Sequence, residues 1–315
     1  MPENSFSEMF DSSRLRQFIG QHDYSCWCGA SEATVYCRQM FWRRFAVLKC
    51  RRCGTQRILP RALLSAASAA SLYNEDQHTR STLAPDVIQR NADRILHRIQ
   101  QTGISFQPGS TVLDIGCSEG SLLETIRQRF GAQVIGVDVD ERTIERARKN
   151  YPKVTFHRGL VQDLFDRLPK ADVVIASAIV EHVIDPEAFL AQLRAVMKPD
   201  GKLFLLTPNA SSINYSLLRS WWRELLSIGE HIYLFTPESL AAAAERAGLK
   251  VHGLATGYDE LPSLRFAFPK RLKAAAIIPW ACYRATVKAL CLTLPHGRRG
   301  DILYASFEPK TSAGR

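Results

Sequence analysis

The sequence predicts an α/β protein built on a largely parallel sheet covered by helices on both faces, and three features carry that prediction. From residue 110 onward, short apolar strands alternate with helical stretches of about ten residues, the order that parallel sheets require. The run Ala171-Asp-Val-Val-Ile-Ala-Ser177 is almost continuously apolar, as a strand buried on both faces should be. A turn bearing two glycines, Gly116-Cys-Ser-Glu-Gly120, joins the first of these strands to its helix, and Asp138 follows Gly116 by 22 residues.

Taken in chain order, residues 24–60 are rich in cysteine, arginine and aromatics, and residues 61–105 read as helical and connecting. Pro85 opens a helix in which Val87, Ile88, Ile95, Leu96 and Ile99 recur at helical spacing. Thr111-Val-Leu-Asp-Ile115 is the first strand of the alternating region, with a helix over 121–130 after it. Gln133-Val-Ile-Gly-Val-Asp138 is the second, followed by a charged helix at 141–149 and a short strand near 154–157. A helix at 187–198 is expected to stop at Lys198-Pro-Asp-Gly201. Lys202-Leu-Phe-Leu-Leu-Thr-Pro208 forms the fifth strand, a helix spans 237–247, and strands near 249–255 and 301–307 close the fold. The implied domains are a small module at 1–60, a helical connector at 61–109, a core at 110–260, and a basic amphipathic segment at 261–315 that contains the last strand.

The glycine turn is the first candidate site. Gly116 and Gly120 permit positive φ and close approach of a ligand to the backbone, and the helix start behind them offers free N–H groups. In such sheets ligands bind at the carboxyl ends of the strands, where Asp138 can accept both hydroxyls of a ribose. The spacing is Gly-x-x-x-Gly, so the Gly-x-Gly-x-x-Gly fingerprint for a pyrophosphate is absent. Asp114 would repel a pyrophosphate but attract an ammonium group. These features favour S-adenosylmethionine over a dinucleotide.

An ordered set of segments carries a family resemblance. Leu113-Asp-Ile-Gly-Cys-Ser-Glu-Gly120, Gly136-Val-Asp138, Glu181-His-Val-Ile-Asp-Pro186, Met197-Lys-Pro-Asp-Gly201, Thr207-Pro-Asn209 and Glu230-His-Ile-Tyr-Leu-Phe-Thr-Pro-Glu-Ser-Leu240 follow one another as in class I SAM-dependent methyltransferases. Over about residues 72–255 the chain resembles bacterial methyltransferases of sugars, quinones and secondary metabolites, including ubiquinone-biosynthesis O-methyltransferases. The resemblance implies a Rossmann-like seven-stranded methyltransferase sheet whose last strand, here 301–307, is antiparallel. It implies that Asp114 and Gly116 face the methionine end of the cofactor, with Ser118 and Gly120 in the same turn. Asp138 would then take the ribose, and Leu160, Val161 and Gln162 would surround the adenine. Two departures stand out: Ser118 replaces the usual middle glycine, and Leu160 replaces a frequent Asp after Gly159. The segment after the fifth strand is a common place for an acceptor lid. Trp221 and Trp222 with Leu217, Leu218, Leu225 and Leu226 make 211–232 the candidate, against the simpler reading of a helix packed on the core.

Methyl transfer from a sulfonium needs a positioned nucleophile, and a base when that nucleophile is a hydroxyl. Glu181 and His182 lie just past the fourth strand, and His231 lies upstream of the Pro-Glu-Ser-Leu helix start. They form either a general base or a divalent-metal site. The metal alternative resembles the Glu-x-x-Glu-His…His pattern of small-RNA 2′-O-methyltransferases, except that Ala178 holds the first Glu position. The bland alternative is a helix cap packed on a loop.

Cys26-x-Cys28 and Cys50-x-x-Cys53 make two knuckles about twenty residues apart, the arrangement of a zinc-ribbon-like module. The first knuckle is one residue short, so Cys37 is a substitute ligand, whereas Cys117, Cys282 and Cys291 read as buried residues.

The net charge of +10 is uneven, at +4 over 1–60, −2 over 61–261 and +8 over 262–315. Arg43, Arg44, Lys49, Arg51, Arg52 and Arg57, interleaved with Phe41, Trp42 and Phe45, could form a nucleic-acid surface. The basic tail suits an anionic membrane surface, although Pro279 would kink it. Its longest uncharged run, 274–283, is about half a bilayer span, and the first residues lack a signal peptide's features. A cytoplasmic, peripherally membrane-associated enzyme is therefore expected. It would be a SAM-dependent methyltransferase acting on a hydroxyl of a small-molecule, sugar or lipid-linked acceptor, with a structural zinc. The rivals are an RNA methyltransferase using the ribbon as reader and a non-catalytic SAM- or zinc-binding interaction protein.

Overall fold

The computed structural model describes residues 26–39, 45–59, 84–218, 222, 231–258, 286 and 299–310. Three short strands come first: β1 (Ala33–Gln39), β2 (Phe45–Cys50) and β3 (Gln56–Leu59). Helix α1 (Pro85–Gln101) has proline in its first turn and buries Ala92, Leu96 and Ile99 along one stripe. The alternating region then runs β4 (Thr111–Ile115), α2 (Ser121–Phe130), β5 (Gln133–Asp138), α3 (Glu141–Asn150), β6 (Thr155–Arg158), a 3₁₀ turn at Val161–Leu164, and β7 (Ala171–Ser177). It continues with α4 (Pro186–Ala195), β8 (Met197–Pro208), α5 (Ile213–Leu218), β9 (Tyr233–Leu234), α6 (Pro237–Arg246), β10 (Leu249–Gly257) and β11 (Ile302–Pro309).

The large sheet has seven strands in the order β10-β11-β8-β7-β4-β5-β6. Strand β11 runs antiparallel to both β10 and β8, as expected for the final strand. Strand order reverses at β4, which lies between β5 and β7, so the carboxyl ends of β4 and β7 flank the switch point. One face of the sheet is covered by a cluster that includes Leu190, Leu193, Leu240 and Ala243; the other is covered by Leu96, Ile99, Leu123, Ile126 and Ile144.

One boundary differs from the sequence reading. Helix α4 ends at Ala195, and Met197 already pairs with Ala171 while Lys202 pairs with Val173. The intervening Lys198–Gly201 stretch bulges from β8, because Gly201 lies against the Ala171 carbonyl and Lys198 is drawn to Asp172 at 2.8 Å.

The antiparallel edge is held by charge. Glu308 on β11 pairs with Lys202 on β8 and with Lys250 on β10 at 2.8 Å, and the Lys202 hydrogen bond above all holds its carboxyl down to about 2. With its folded value depressed, this group stabilises the fold above its ordinary 4.5 and loses that contribution as pH falls from there toward 2. Partly exposed pairs contribute up to about 1 kcal/mol each, so Glu308→Gln is expected to cost about 1–2 kcal/mol at pH 7 and much less near pH 2. Equal losses at both pH values in thermal unfolding would contradict this assignment.

The second sheet, β1-β2-β3-β9, is antiparallel. Its fourth strand comes from the methyltransferase-like part of the chain, which locks the cysteine module to the core.

Candidate functional site

The loop after β4 folds back over β5. Gly116 and Cys117 donate their N–H groups to the Val137 carbonyl at 2.8 and 3.1 Å. Gly116 sits at φ 76°, and a Cβ there would lie 2.3 Å from the Ile179 side chain, so any other residue would be strained and would have to displace Ile179. Ser118 adopts φ 49°, which explains why a glycine is the commoner choice at this place. Its N–H donates to Asp138 Oδ2 at 3.0 Å, which helps to hold the strained turn, and the Asp140 N–H donates to Oδ1 at 3.0 Å.

Asp114 and Asp138 are both buried at the carboxyl ends of neighbouring strands. Burial and then the Asp138 charge push Asp114 well above the usual carboxylate range; burial also raises Asp138, against the lowering effect of its N–H donors. A carboxylate has about four acceptor sites, so Asp138 can still take two hydroxyl donors, and a nearby cation would relieve both groups. This donor set fits a ligand that carries a diol and a positive charge, as S-adenosylmethionine does.

The residues matched to adenine lie just beyond β6. Leu160 is 47% exposed, while Val161 is buried and opens the 3₁₀ turn that also contains Gln162. Leu160 therefore offers an apolar surface where the family often has a carboxylate.

Beyond β7 the chain makes a tight turn through Ala178 at φ 58°. Ser118 and Ala178 are the two non-glycine residues at positive φ among the described residues, and they stand at the ends of adjacent strands β4 and β7. Strained backbone gathered at one sheet end is the pattern of functional sites. Ile179 presses on Gly116, so this turn adjoins the glycine loop after β4. Glu181 is fully buried, and its ligand atoms and those of His182 and His231 lie within 4.8 Å of one another. The two imidazole rings are 4.9 Å apart between centroids. The Glu181 carbonyl accepts the N–H groups of Ile232 (2.8 Å) and Tyr233 (3.1 Å), which fixes the segment that follows His231 against the His182 loop.

The four sulfurs of Cys26, Cys28, Cys50 and Cys53 also converge within 4.8 Å. Cys26 faces Cys53 and Cys28 faces Cys50, each at 3.6 Å. Tetrahedral zinc with bonds of about 2.3 Å spaces its sulfurs by about 3.8 Å, so the cluster fits the ion despite the short first knuckle. The hydrogen bond between Cys26 and Cys53 pulls the Cys53 thiol down to about 5 and pushes Cys26 up. Cys37 lies on β1, and its side chain is outside the described residues.

Other sequence candidates are placed differently. Trp222 is buried, stacks on Tyr215 at 4.6 Å and donates to Asp301 at 3.3 Å, while Leu217 is 60% exposed. Trp221, Leu225 and Leu226 lie outside the described residues, as do Phe41, Trp42, Arg43, Arg44, Cys282, Cys291 and most of 261–315. Within the basic run, Arg52 donates to the Cys28 carbonyl, Arg51 meets Glu32, and Arg57 covers the Tyr233 ring at 5.5 Å. Among the described residues no helix is long and apolar enough to cross a membrane. Sequence reasoning gave no site role to Tyr233, which was legible only as an aromatic two residues after His231.

The strand order, the antiparallel β11 and the turn at the switch point define a class I SAM-dependent methyltransferase fold. Residues 77–254 match a family described as a methyltransferase domain, and the chain belongs to that family. It is 34% identical over 175 residues to the mitochondrial ubiquinone biosynthesis O-methyltransferase of Bos taurus, covering 50% of this chain and 47% of that protein. It is 33% identical over 169 residues to the ubiquinone biosynthesis O-methyltransferase of Bordetella avium, covering 50% and 69%. The chain thus spans about half the length of its mammalian relatives. Among solved structures it is similar to a chain of the complex between the Haloferax volcanii Trm112 methyltransferase activator and a methyltransferase, with TM-score 0.53 and 16% identity over 79% of this chain and 100% of that one. Geranyl diphosphate C-methyltransferase of Streptomyces coelicolor A3(2) gives 0.50 at 14% identity over 70% and 79%. At these identities the likeness is one of fold.

Proposed function

We propose that the chain transfers a methyl group from S-adenosylmethionine to a hydroxyl of a small, lipid-like acceptor of the quinone-precursor type. The observation that carries this reading is the Glu181–His182–His231 cluster, seated beside the cofactor turn through the Ile179–Gly116 contact. When bound, S-adenosylmethionine supplies a methyl group activated by its sulfonium. Asp138 would hold the ribose hydroxyls, Asp114 would face the ammonium end, and Leu160, Val161 and Gln162 would line the adenine. Gly116, Ser118 and Gly120 shape the turn that lets the ligand approach.

On the acceptor side, His182 or His231 would take the proton as the hydroxyl oxygen bonds to the methyl carbon and the carbon–sulfur bond breaks. The proton ends on imidazole, and the buried Glu181 stabilises the imidazolium beside it. The relatives' names support a quinone-type acceptor, whose product would be a methyl ether. A divalent ion held by the same three residues is the second reading, favoured by their mutual reach of 4.8 Å. It would lower the hydroxyl's own pKa in place of a base. Zinc bound by Cys26, Cys28, Cys50 and Cys53 would be structural, since four protein ligands leave no open position.

A panel assay tests the reading. Full-length protein is given S-adenosylmethionine with a prenylated catechol, a free sugar, or RNA at low and high salt. We expect S-adenosylhomocysteine to form with the catechol. Turnover on RNA alone, falling steeply with salt, would overturn the reading in favour of a ribbon-guided RNA enzyme. Metal analysis is expected to give about one zinc per chain, with a second ion lost in His231→Ala only if the metal reading holds.

A further inference from the structure

We propose that the cysteine ribbon is the scaffold of the acceptor-side histidine, with Arg57 and Tyr233 as the positioning residues that transmit ribbon order to His231. The inference rests on the methyltransferase reading for its catalytic consequence, but its structural part stands on contacts alone.

Strand β9 contains two residues, too few to hold a position by its own pairing. It is gripped on both sides. On one side Arg57 pairs with Tyr233 and Gln56 with Leu234, and the Ile58 N–H donates to the Ile232 carbonyl at 2.9 Å. On the other side, the Ile232 and Tyr233 N–H groups reach the Glu181 carbonyl. The Tyr233 hydroxyl donates to the Ile184 carbonyl at 2.9 Å and accepts from Arg57 at 3.4 Å, so one side chain ties β3 to the loop that carries His182. His231 lies two residues before this clamped strand and faces His182.

The β3 side of the clamp is in turn set by the second knuckle. The Cys50 N–H donates to the Thr55 carbonyl at 2.9 Å, and the Thr55 hydroxyl accepts from the Trp27 indole at 3.1 Å and lies 3.1 Å from the Cys53 sulfur. Behind β3, Val47 and Ile58 share an apolar cluster with Ala210, Tyr215, Trp222 and Leu234, and the Tyr215 hydroxyl donates to Gln56 at 2.5 Å. The ribbon's sheet and core are thus completed by residues of the methyltransferase part. A ribbon whose function was to read a separate ligand would not need its edge strand to be supplied by the catalytic loop.

The test compares wild-type full-length protein with Arg57→Met, Arg57→Lys and Tyr233→Phe, and with wild-type protein stripped of zinc by a chelator and then reloaded. The readouts are zinc content, S-adenosylmethionine affinity, amide exchange over 231–235, and kcat and KM on the catechol acceptor. In Arg57→Met and Tyr233→Phe, with zinc retained, we expect cofactor affinity within about twofold of wild type. Exchange at Ile232 and Tyr233 should be at least tenfold faster, and kcat tenfold or more lower. Arg57→Lys should recover part of both. Zinc removal should accelerate the same amides, and reloading should restore their protection. Wild-type exchange at 231–235 in both variants and after zinc removal would overturn the proposal. If the wild-type protein transfers no methyl group to any acceptor, the functional reading fails, while the exchange and reloading arms still decide whether the ribbon holds the loop.

Discussion

Asp138→Ala is expected to abolish measurable S-adenosylmethionine binding while leaving a folded protein. The carboxylate stands at the end of β5, buried, with one N–H donor on each oxygen and acceptor capacity left that the proposed ribose diol would use. Hydrogen bonds to a charged group contribute about 1.5–3 kcal/mol each, so losing two raises Kd by about 10²–10⁴-fold. Part of the loss also comes from the turn, because the Ser118 N–H, held at positive φ, loses its acceptor. In the proposed role the ionised form would be the one that binds, and burial raises its pKa above the ordinary 3.8. Affinity in the wild-type protein should therefore fall as pH drops through that raised value, whereas Asp138→Asn should bind weakly and keep only the pH dependence that Asp114 supplies. Calorimetric titration checks both. Wild-type affinity in Asp138→Ala would remove the carboxylate from the cofactor site.

His231→Ala and His182→Ala are expected to separate binding from transfer. The imidazoles stand on the segments after β7 and before β9, whereas Asp114 and Asp138 stand on β4 and β5, so cofactor affinity should remain within a few-fold of wild type. A positioned base contributes about 10²–10⁴-fold, and loss of the histidine that accepts the proton should lower kcat by that amount. The other, 4.9 Å away between ring centroids, should matter less and act through KM for the acceptor. Equal, small effects of both substitutions on kcat would return the cluster to a packing role. Single-turnover rates with pre-bound cofactor make the distinction.

Much of the fold was legible because period and order suffice to specify it. The apolar run at 171–177 had to be a doubly covered strand, and the segment at 302–309 lies antiparallel where the family resemblance requires it. The turn after β4 was legible from its glycines, and it meets Asp138 through the Ser118 N–H. Other features were not. The stop after α4 was misread because Pro199 and Gly201 signal a turn in any context, while only the approach of Ala171 reveals a bulge inside a strand. The juxtaposition of His182 and His231 came from motif order alone, and their shared clamp on the Glu181 carbonyl has no sequence signature. Arg57 was grouped with a basic run as a candidate nucleic-acid contact, but its guanidinium lies over Tyr233. A two-residue strand that pairs across such a sequence distance leaves no periodicity to detect. Such contacts join the ribbon to the site and become visible only in three dimensions.

The destination of the methyl group tests the proposed transfer most directly. Full-length protein incubated with methyl-labelled S-adenosylmethionine and a prenylated catechol should yield, by mass spectrometry, a product one labelled methyl heavier. Fragmentation should place the label on oxygen, with S-adenosylhomocysteine formed in equal amount. Label on carbon or nitrogen, or cofactor bound tightly with no labelled product from any hydroxyl acceptor, would contradict the account.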